Sequence, residues 1–171
     1  MPLEPSPVIG DAVERHESGN GQGAVPDIVL YRPADGSLRV ILKNAGGGFS
    51  GYGGNPIRTG LGAPTWAGVA DLDGDGQRDD IAWWSGTTLS TLVAPNFTTS
   101  SSTPGLQPGT WHDVLDYNGD GRDDVVLFRP ADGSLRVILK DPGGGFNGYS
   151  GNPIRTGLTT PIWAGTSSYN G

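Results

Sequence analysis

Short apolar runs alternate with polar, glycine-rich stretches along the whole chain, and none carries helical spacing over a useful length. The run from Asp27 to Arg32 (DIVLYR) is rich in β-branched and aromatic residues and predicts a strand. The turn Ala34 to Ser37 (ADGS) follows, with Gly36 free to take positive φ. Ser37 to Lys43 then alternates: Leu38, Val40 and Leu42 fall on one face, and Arg39, Ile41 and Lys43 on the other. A glycine-rich link, 46–54, leads to a weak strand near Asn55 to Thr59, and Thr65 to Ala70 predicts a further strand that feeds an acidic loop. The middle of the chain repeats the scheme: Ile81 to Trp84, Thr88 to Val93, a Ser/Thr stretch, and Trp111 to Leu115.

The pattern is a true internal repeat. Asp27 to Leu61 and Asp124 to Leu158 match at 29 of 35 positions, offset by 97 residues without a gap. A shorter, divergent unit lies between them. The chain therefore reads as a single repeat domain, 1–171, of about three units, approximately 7–70, 71–115 and 116–171. Units of this size with four short strands each predict an all-β, β-propeller-like array of about three four-stranded blades.

Composition sharpens this picture. With 30 Gly and 14 Pro among 171 residues, long helices are excluded. Five Trp, five Tyr and four Phe argue against a disordered chain. The net charge of −7 lacks the basic face a nucleic acid requires, and it suits cations. No apolar run is long enough to span a bilayer, so no membrane insertion is expected. No Cys is present, and no signal peptide is visible at Met1 to Pro7.

Two acidic loops carry the candidate chemistry. Asp71, Asp73, Asp75, Gln77 and Asp79 stand at positions 1, 3, 5, 7 and 9 of the first; Asp116, Asn118, Asp120, Arg122 and Asp124 stand at those positions of the second. Alternate oxygen-bearing residues in a tightly curled loop converge on one point, and a hard cation such as Ca²⁺ takes six to eight oxygens. Gln77 and Arg122 would contribute backbone carbonyls, while Gly76 and Gly121 permit the sharp turn. Position 12 is Ala82 or Leu127 rather than Glu, and both flanks read as strands, so these are not EF-hands. An acidic surface turn holding no ion is the plainer alternative.

The pattern Asp-x-(Asp/Asn)-Gly-Asp-Gly-x-x-Asp between strands, carried by Asp71 to Asp80 and Asp116 to Asp124, resembles the FG-GAP/VCBS repeats of integrin α-chains and many secreted bacterial proteins. The resemblance implies a propeller with one Ca²⁺ per intact loop, and a secreted or extracellular setting. A related loop near Ser18 lacks early carboxylates, and the segment Ser168 to Gly171 lacks the first Asp.

Other residues read more plainly. Trp66, Trp111 and Trp163 occupy equivalent places before acidic loops; inter-blade packing is the favoured role, with sugar stacking as the rival. One of the adjacent Trp83 and Trp84 should be exposed or interfacial, because neighbouring strand residues face opposite ways. His16 and His112 have no nucleophile or third ligand at a recognisable spacing, and the repeated arginines read as scaffold charges. The glycine-rich links lack the Lys-Ser/Thr of a phosphate loop. No nucleophile–base constellation is recognisable, so the expectation is a non-catalytic calcium-binding module with a structural, adhesive or self-assembly role. Because three blades are fewer than a closed ring takes, a homo-oligomer is expected, with the C-terminal strand from Thr160 as its joint. A fragment of a longer propeller packed against neighbouring blades, a glycan-binding module, and a binding appendage of a larger secreted protein are the alternatives.

Overall fold

The computed structural model describes residues 13–15, 26–43, 46–49, 57–94, 96–148 and 153–159. They form three antiparallel sheets and no helix. The first sheet has the order β1 (Val13–Arg15), β2 (Pro26–Arg32), β3 (Ser37–Ile41). The second runs β4 (Trp66–Ala70), β5 (Asp80–Ser85), β6 (Thr88–Val93), β7 (Thr98–Thr103). The third is built from β8 (Trp111–Leu115), β9 (Asp124–Arg129) and β10 (Ser134–Ile138). Among the described residues the sheets do not close on one another.

The repeat reappears as repeated pairing. Ile28 pairs with Ile41 in the first sheet, and Val125 with Ile138 in the third. Each of these sheets gains a fourth edge through a single bridge, Leu38 to Arg58 and Leu135 to Arg155. In the first sheet that edge falls in the weak strand expected from Asn55 to Thr59, of which Asn55 and Pro56 lie outside the described residues. Tight hairpin turns fix it. Gly36 sits at φ +62° and its carbonyl accepts the Leu61 N–H; Gly133 does the same for Leu158 at φ +59°. A Cβ on Gly36 would lie 2.5 Å from the Leu61 carbonyl oxygen, so only glycine allows this approach. In the second sheet the Ser/Thr stretch forms the fourth strand outright, β7 against β6. The strands β4 and β8, which end the sequence units, pair forward with β5 and β9 and so belong to the sheet of the following unit.

Packing is face to face, with the second sheet in the middle. Alternation along β5 sends Ile81 and Trp83 to one side and Ala82 and Trp84 to the other. Ile81, Trp83, Leu92 and Phe97 join Leu38 of the first sheet, with Val29 and Tyr31 packed against them. Ala82, Trp84 and Leu89 join Val125, Leu127 and Ile138 of the third. Each fully buried Val, Leu or Ile side chain here contributes about 1.5–3 kcal/mol. Of the two outcomes expected for this pair, exposed or interfacial, the second holds: Trp83 is 4% exposed and Trp84 is wholly buried, because both faces of this sheet are covered. Trp83 meets Tyr31 edge to face at 5.0 Å.

The first strands of the second and third sheets, β4 and β8, lie side by side. Trp66 stacks on His112 across them at 5.2 Å, and His112 also contacts Trp84. The favoured packing role for Trp66 agrees with this contact. Trp163, His16, the Ser18 loop and the C-terminal strand from Thr160 lie outside the described residues.

Candidate metal centre

The first acidic loop joins β4 to β5. Its curl follows from carboxylates that accept the loop's own N–H groups. Asp71 takes Gly74 N–H on Oδ1 (2.7 Å) and Gly76 N–H on Oδ2 (2.9 Å). Asp73 Oδ1 accepts Asp75 N–H, and Asp75 Oδ1 accepts Gln77 N–H. Gly74 and Gly76 hold φ of +81° and +87°, a conformation L side chains rarely adopt, so glycine sets the curl.

The second loop, between β8 and β9, repeats the construction. Asp116 accepts Gly119 N–H and Asp120 N–H on Oδ1, and Gly121 N–H on Oδ2. Asn118 Oδ1 accepts Asp120 N–H, and Asp120 Oδ1 accepts Arg122 N–H. The two loops thus share one hydrogen-bond pattern, the Asx-turn chemistry that short carboxylate and amide side chains give a tight turn.

Strand register identifies a residue the spacing concealed. Asp80 pairs opposite Ala70, and Asp124 opposite Leu115, so these two aspartates are structural equivalents. The first loop therefore holds one extra residue, and the aspartate equivalent to Asp124 is Asp80 rather than Asp79. Asp80 Oδ2 accepts Leu72 and Asp73 N–H, and its Oδ1 accepts Ala94 N–H. Asp124 likewise accepts Tyr117 N–H and Lys140 N–H. In this way each aspartate ties its loop to the sheet's third strand or its continuation.

Asp71, Asp73 and Asp80 converge, each with a carboxylate oxygen within 4.8 Å of the others'. Oxygens bound to one Ca²⁺ at about 2.3–2.6 Å are at most about 5 Å apart, so the spacing fits a single ion. The donors are all hard oxygens, as Ca²⁺ prefers. Asp71 and Asp80 are buried while Asp73 is exposed, which leaves the group open to solvent on one side. Burial, with the Asp73 and Asp79 charges, raises the Asp80 pKa to about 6 against its backbone hydrogen bonds. Burial also raises that of Asp124. In the second loop Asn118 replaces Asp73, so the same three carboxylates cannot assemble there. Asp75 and Asp120 remain exposed on the loops, engaged with Gln77 and Asn118 side chains. Gln77 and Arg122 are half-buried.

A second residue absent from the sequence reading is Asp123. Its Oδ2 accepts Asp71 N–H at 2.9 Å, and its own N–H donates to the Asp71 carbonyl at 2.7 Å. Arg78 Nε lies 2.9 Å from the same Oδ2 while its guanidinium also donates to the Val69 carbonyl. The two acidic loops are thereby fastened to each other. Elsewhere the repeated arginines do scaffold work: Arg32 and Arg39 flank Asp35, and Arg129 and Arg136 flank Asp132.

Comparison of the chain with family models, curated proteins and solved structures returns no match.

Proposed function

We propose that the chain is a non-catalytic, calcium-binding module of three propeller-type blades, with a structural or assembly role in an extracellular setting. The observation that carries this reading is the convergence of Asp71, Asp73 and Asp80 in a loop whose construction is repeated in the next sheet. Asp71, Asp73 and Asp80 hold the ion in the first loop, completed by Asp75 and the Gln77 carbonyl. Asp116, Asn118, Asp120, Asp124 and the Arg122 carbonyl hold a second. The bound ion offsets the mutual repulsion of the carboxylates and ties the start of one strand to the strand before it.

Three features support the blade arrangement. The sheets are successive in the chain, the middle one is covered on both faces, and the first strands β4 and β8 lie together. Radial repetition of small antiparallel sheets produces all three. The buried indoles of Trp83 and Trp84 offer no face to a sugar, so the structural role is favoured over glycan binding. Isothermal titration of the chelator-stripped chain with Ca²⁺ tests the reading: heat of binding with two equivalents supports it, and no binding at millimolar Ca²⁺ refutes it.

A further inference from the structure

The second acidic loop departs from the first at position 3, where Asn118 stands in place of Asp73. Gly119 follows it, and glycine has no Cβ to hinder closure of an asparagine side chain on the next main-chain nitrogen. The groups that such a closure uses are each held by a hydrogen bond. The Gly119 N–H, whose nitrogen is the nucleophile, donates to Asp116 Oδ1 at 2.7 Å. Asn118 Oδ1, which gains charge as Cγ is attacked, accepts the Asp120 N–H at 3.0 Å. Asn118 Nδ2, the leaving nitrogen, donates to Asp120 Oδ2 at 3.0 Å. Every group that gains or loses a proton or charge therefore has a partner within hydrogen-bond reach.

The site is also open to water. Asn118, Gly119 and Asp120 are exposed. Beyond the chain neighbours, no atom of the described residues comes within 4 Å of the place a Cβ would take on Gly119. In the first loop the corresponding place on Gly74 has the Arg122 guanidinium carbon 3.0 Å away, and its neighbour Asp73 carries no amide to lose. Asn147 and Gly148 form the other Asn–Gly pair among the described residues, and like Asn118 this asparagine follows an aromatic residue. Asn147 is half-buried, its N–H donating to the Leu139 carbonyl and its Nδ2 to Asp141 Oδ1 at 2.6 Å.

We propose that Asn118 is a self-modification site, where the chain converts its own side-chain amide to a carboxylate. The Gly119 nitrogen bonds to Asn118 Cγ. The Cγ–Nδ2 bond breaks, its electron pair leaves with the nitrogen, and that nitrogen takes up the Gly119 proton and departs as ammonia. Water then opens the five-membered imide. Opening at Cγ leaves aspartate at position 118, and opening at the main-chain carbonyl leaves an isoaspartyl linkage. In both cases one amide and one water become one carboxylic acid and one ammonia, with no oxidant or reductant. The aspartyl product gives the second loop the donor set of the first, with carboxylates at positions 1 and 3 and at the strand aspartate, as in Asp71, Asp73 and Asp80. Ligand charge count tunes the affinity of an oxygen site for Ca²⁺, so this product binds the ion more tightly. That consequence rests on the calcium reading above, whereas the conversion does not.

The test incubates the metal-free full chain at neutral pH over weeks. Ammonia should accumulate, and ion exchange should resolve a species one charge more negative than the starting −7. Peptide mapping should place conversion at Asn118 ahead of Asn147, and isoaspartyl methyltransferase should label the isoaspartyl fraction. Asn118→Gln, whose closure needs a six-membered ring, should lose the signal in that peptide while keeping the wild-type circular dichroism spectrum. In urea the two Asn–Gly pairs lose their different settings and should convert at similar rates. An Asn118 that stays intact, or converts no faster than Asn147, overturns the proposal. So does a rate gap that survives unfolding, because it would belong to the local sequence and not to the loop. Calcium titration of Asn118→Asp against wild type reads the consequence separately, as a downward shift of the midpoint at the second loop. Conversion in a chain that binds no calcium in either form sinks the calcium reading alone, and tighter binding by the variant without conversion of the wild type sinks the modification site alone.

Discussion

Removing the Asp123 carboxylate should loosen the connection between the two acidic loops by a predictable amount. In Asp123→Ala the Asp71 N–H loses its acceptor at a position only 8% exposed. An unsatisfied buried donor costs about 1–3 kcal/mol. The ion pair with Arg78 goes too, but Arg78 is 42% exposed, so this adds under about 1 kcal/mol. The backbone bond from Asp123 N–H to the Asp71 carbonyl survives the substitution. The total is about 2 kcal/mol, or roughly 4–8 °C in Tm for a chain of this size. Asp123→Asn provides the internal control. Its amide oxygen still accepts the Asp71 N–H, so only the charge is lost, at under about 1 kcal/mol. Urea unfolding followed by tryptophan fluorescence, in EDTA to keep metal out, measures both variants. An Asp123→Ala chain as stable as wild type, or an Asp123→Asn chain as damaged as Asp123→Ala, would refute the assignment of the cost to the buried donor.

Three further outcomes concern His112 and the two acidic loops. His112 is held neutral, its pKa lowered by burial to about 4, with Nε2 accepting the Gly109 N–H; its stabilisation is complete above pH 6.5 and is lost as pH falls toward 4, by on the order of 3 kcal/mol, and a His112→Gln chain whose stability falls just as steeply over that range would contradict it. Asp75→Ala and Asp120→Ala should each remove one equivalent in a calcium titration and leave the other; loss of both from one substitution would show that the sites are not independent. Asp80→Ala should abolish binding at the first loop whereas Asp79→Ala should spare it, and the reverse result would restore Asp79 to the place that the strand register gives to Asp80.

Much of the fold was legible in the chain. The duplicated hairpins Pro26–Arg32 with Ser37–Ile41, and Asp124–Arg129 with Ser134–Ile138, follow from alternation and from the Asp-Gly turn between them. The acidic loops were legible because carboxylates and glycines recur at fixed places. What escaped was set by tertiary contacts. Period-two alternation places Trp83 and Trp84 on opposite faces, but it carries no information that both faces are covered. Asp79 and Asp80 are adjacent, so a spacing rule accepts either; pairing with Ala70 decides for Asp80. Asp123 reads as one more loop acid until the neighbouring loop's Asp71 N–H is seen against it. Of the weak strand expected near Asn55, the described residues from Ile57 contribute one bridge, beside the Gly36 and Leu61 contact.

The most direct test of the central claim is thermal unfolding of the wild-type chain in Ca²⁺ against EDTA, paired with a metal assay. An ion that binds the native loops and not the unfolded chain stabilises by RT ln(1 + [Ca²⁺]/Kd), about 1.4 kcal/mol per site at ten times Kd. With Kd on the order of 10⁻⁴–10⁻³ M, as extracellular modules have, the Tm should climb through the millimolar range and two equivalents should be retained. An unchanged Tm across that range, with no calcium bound, would contradict the account.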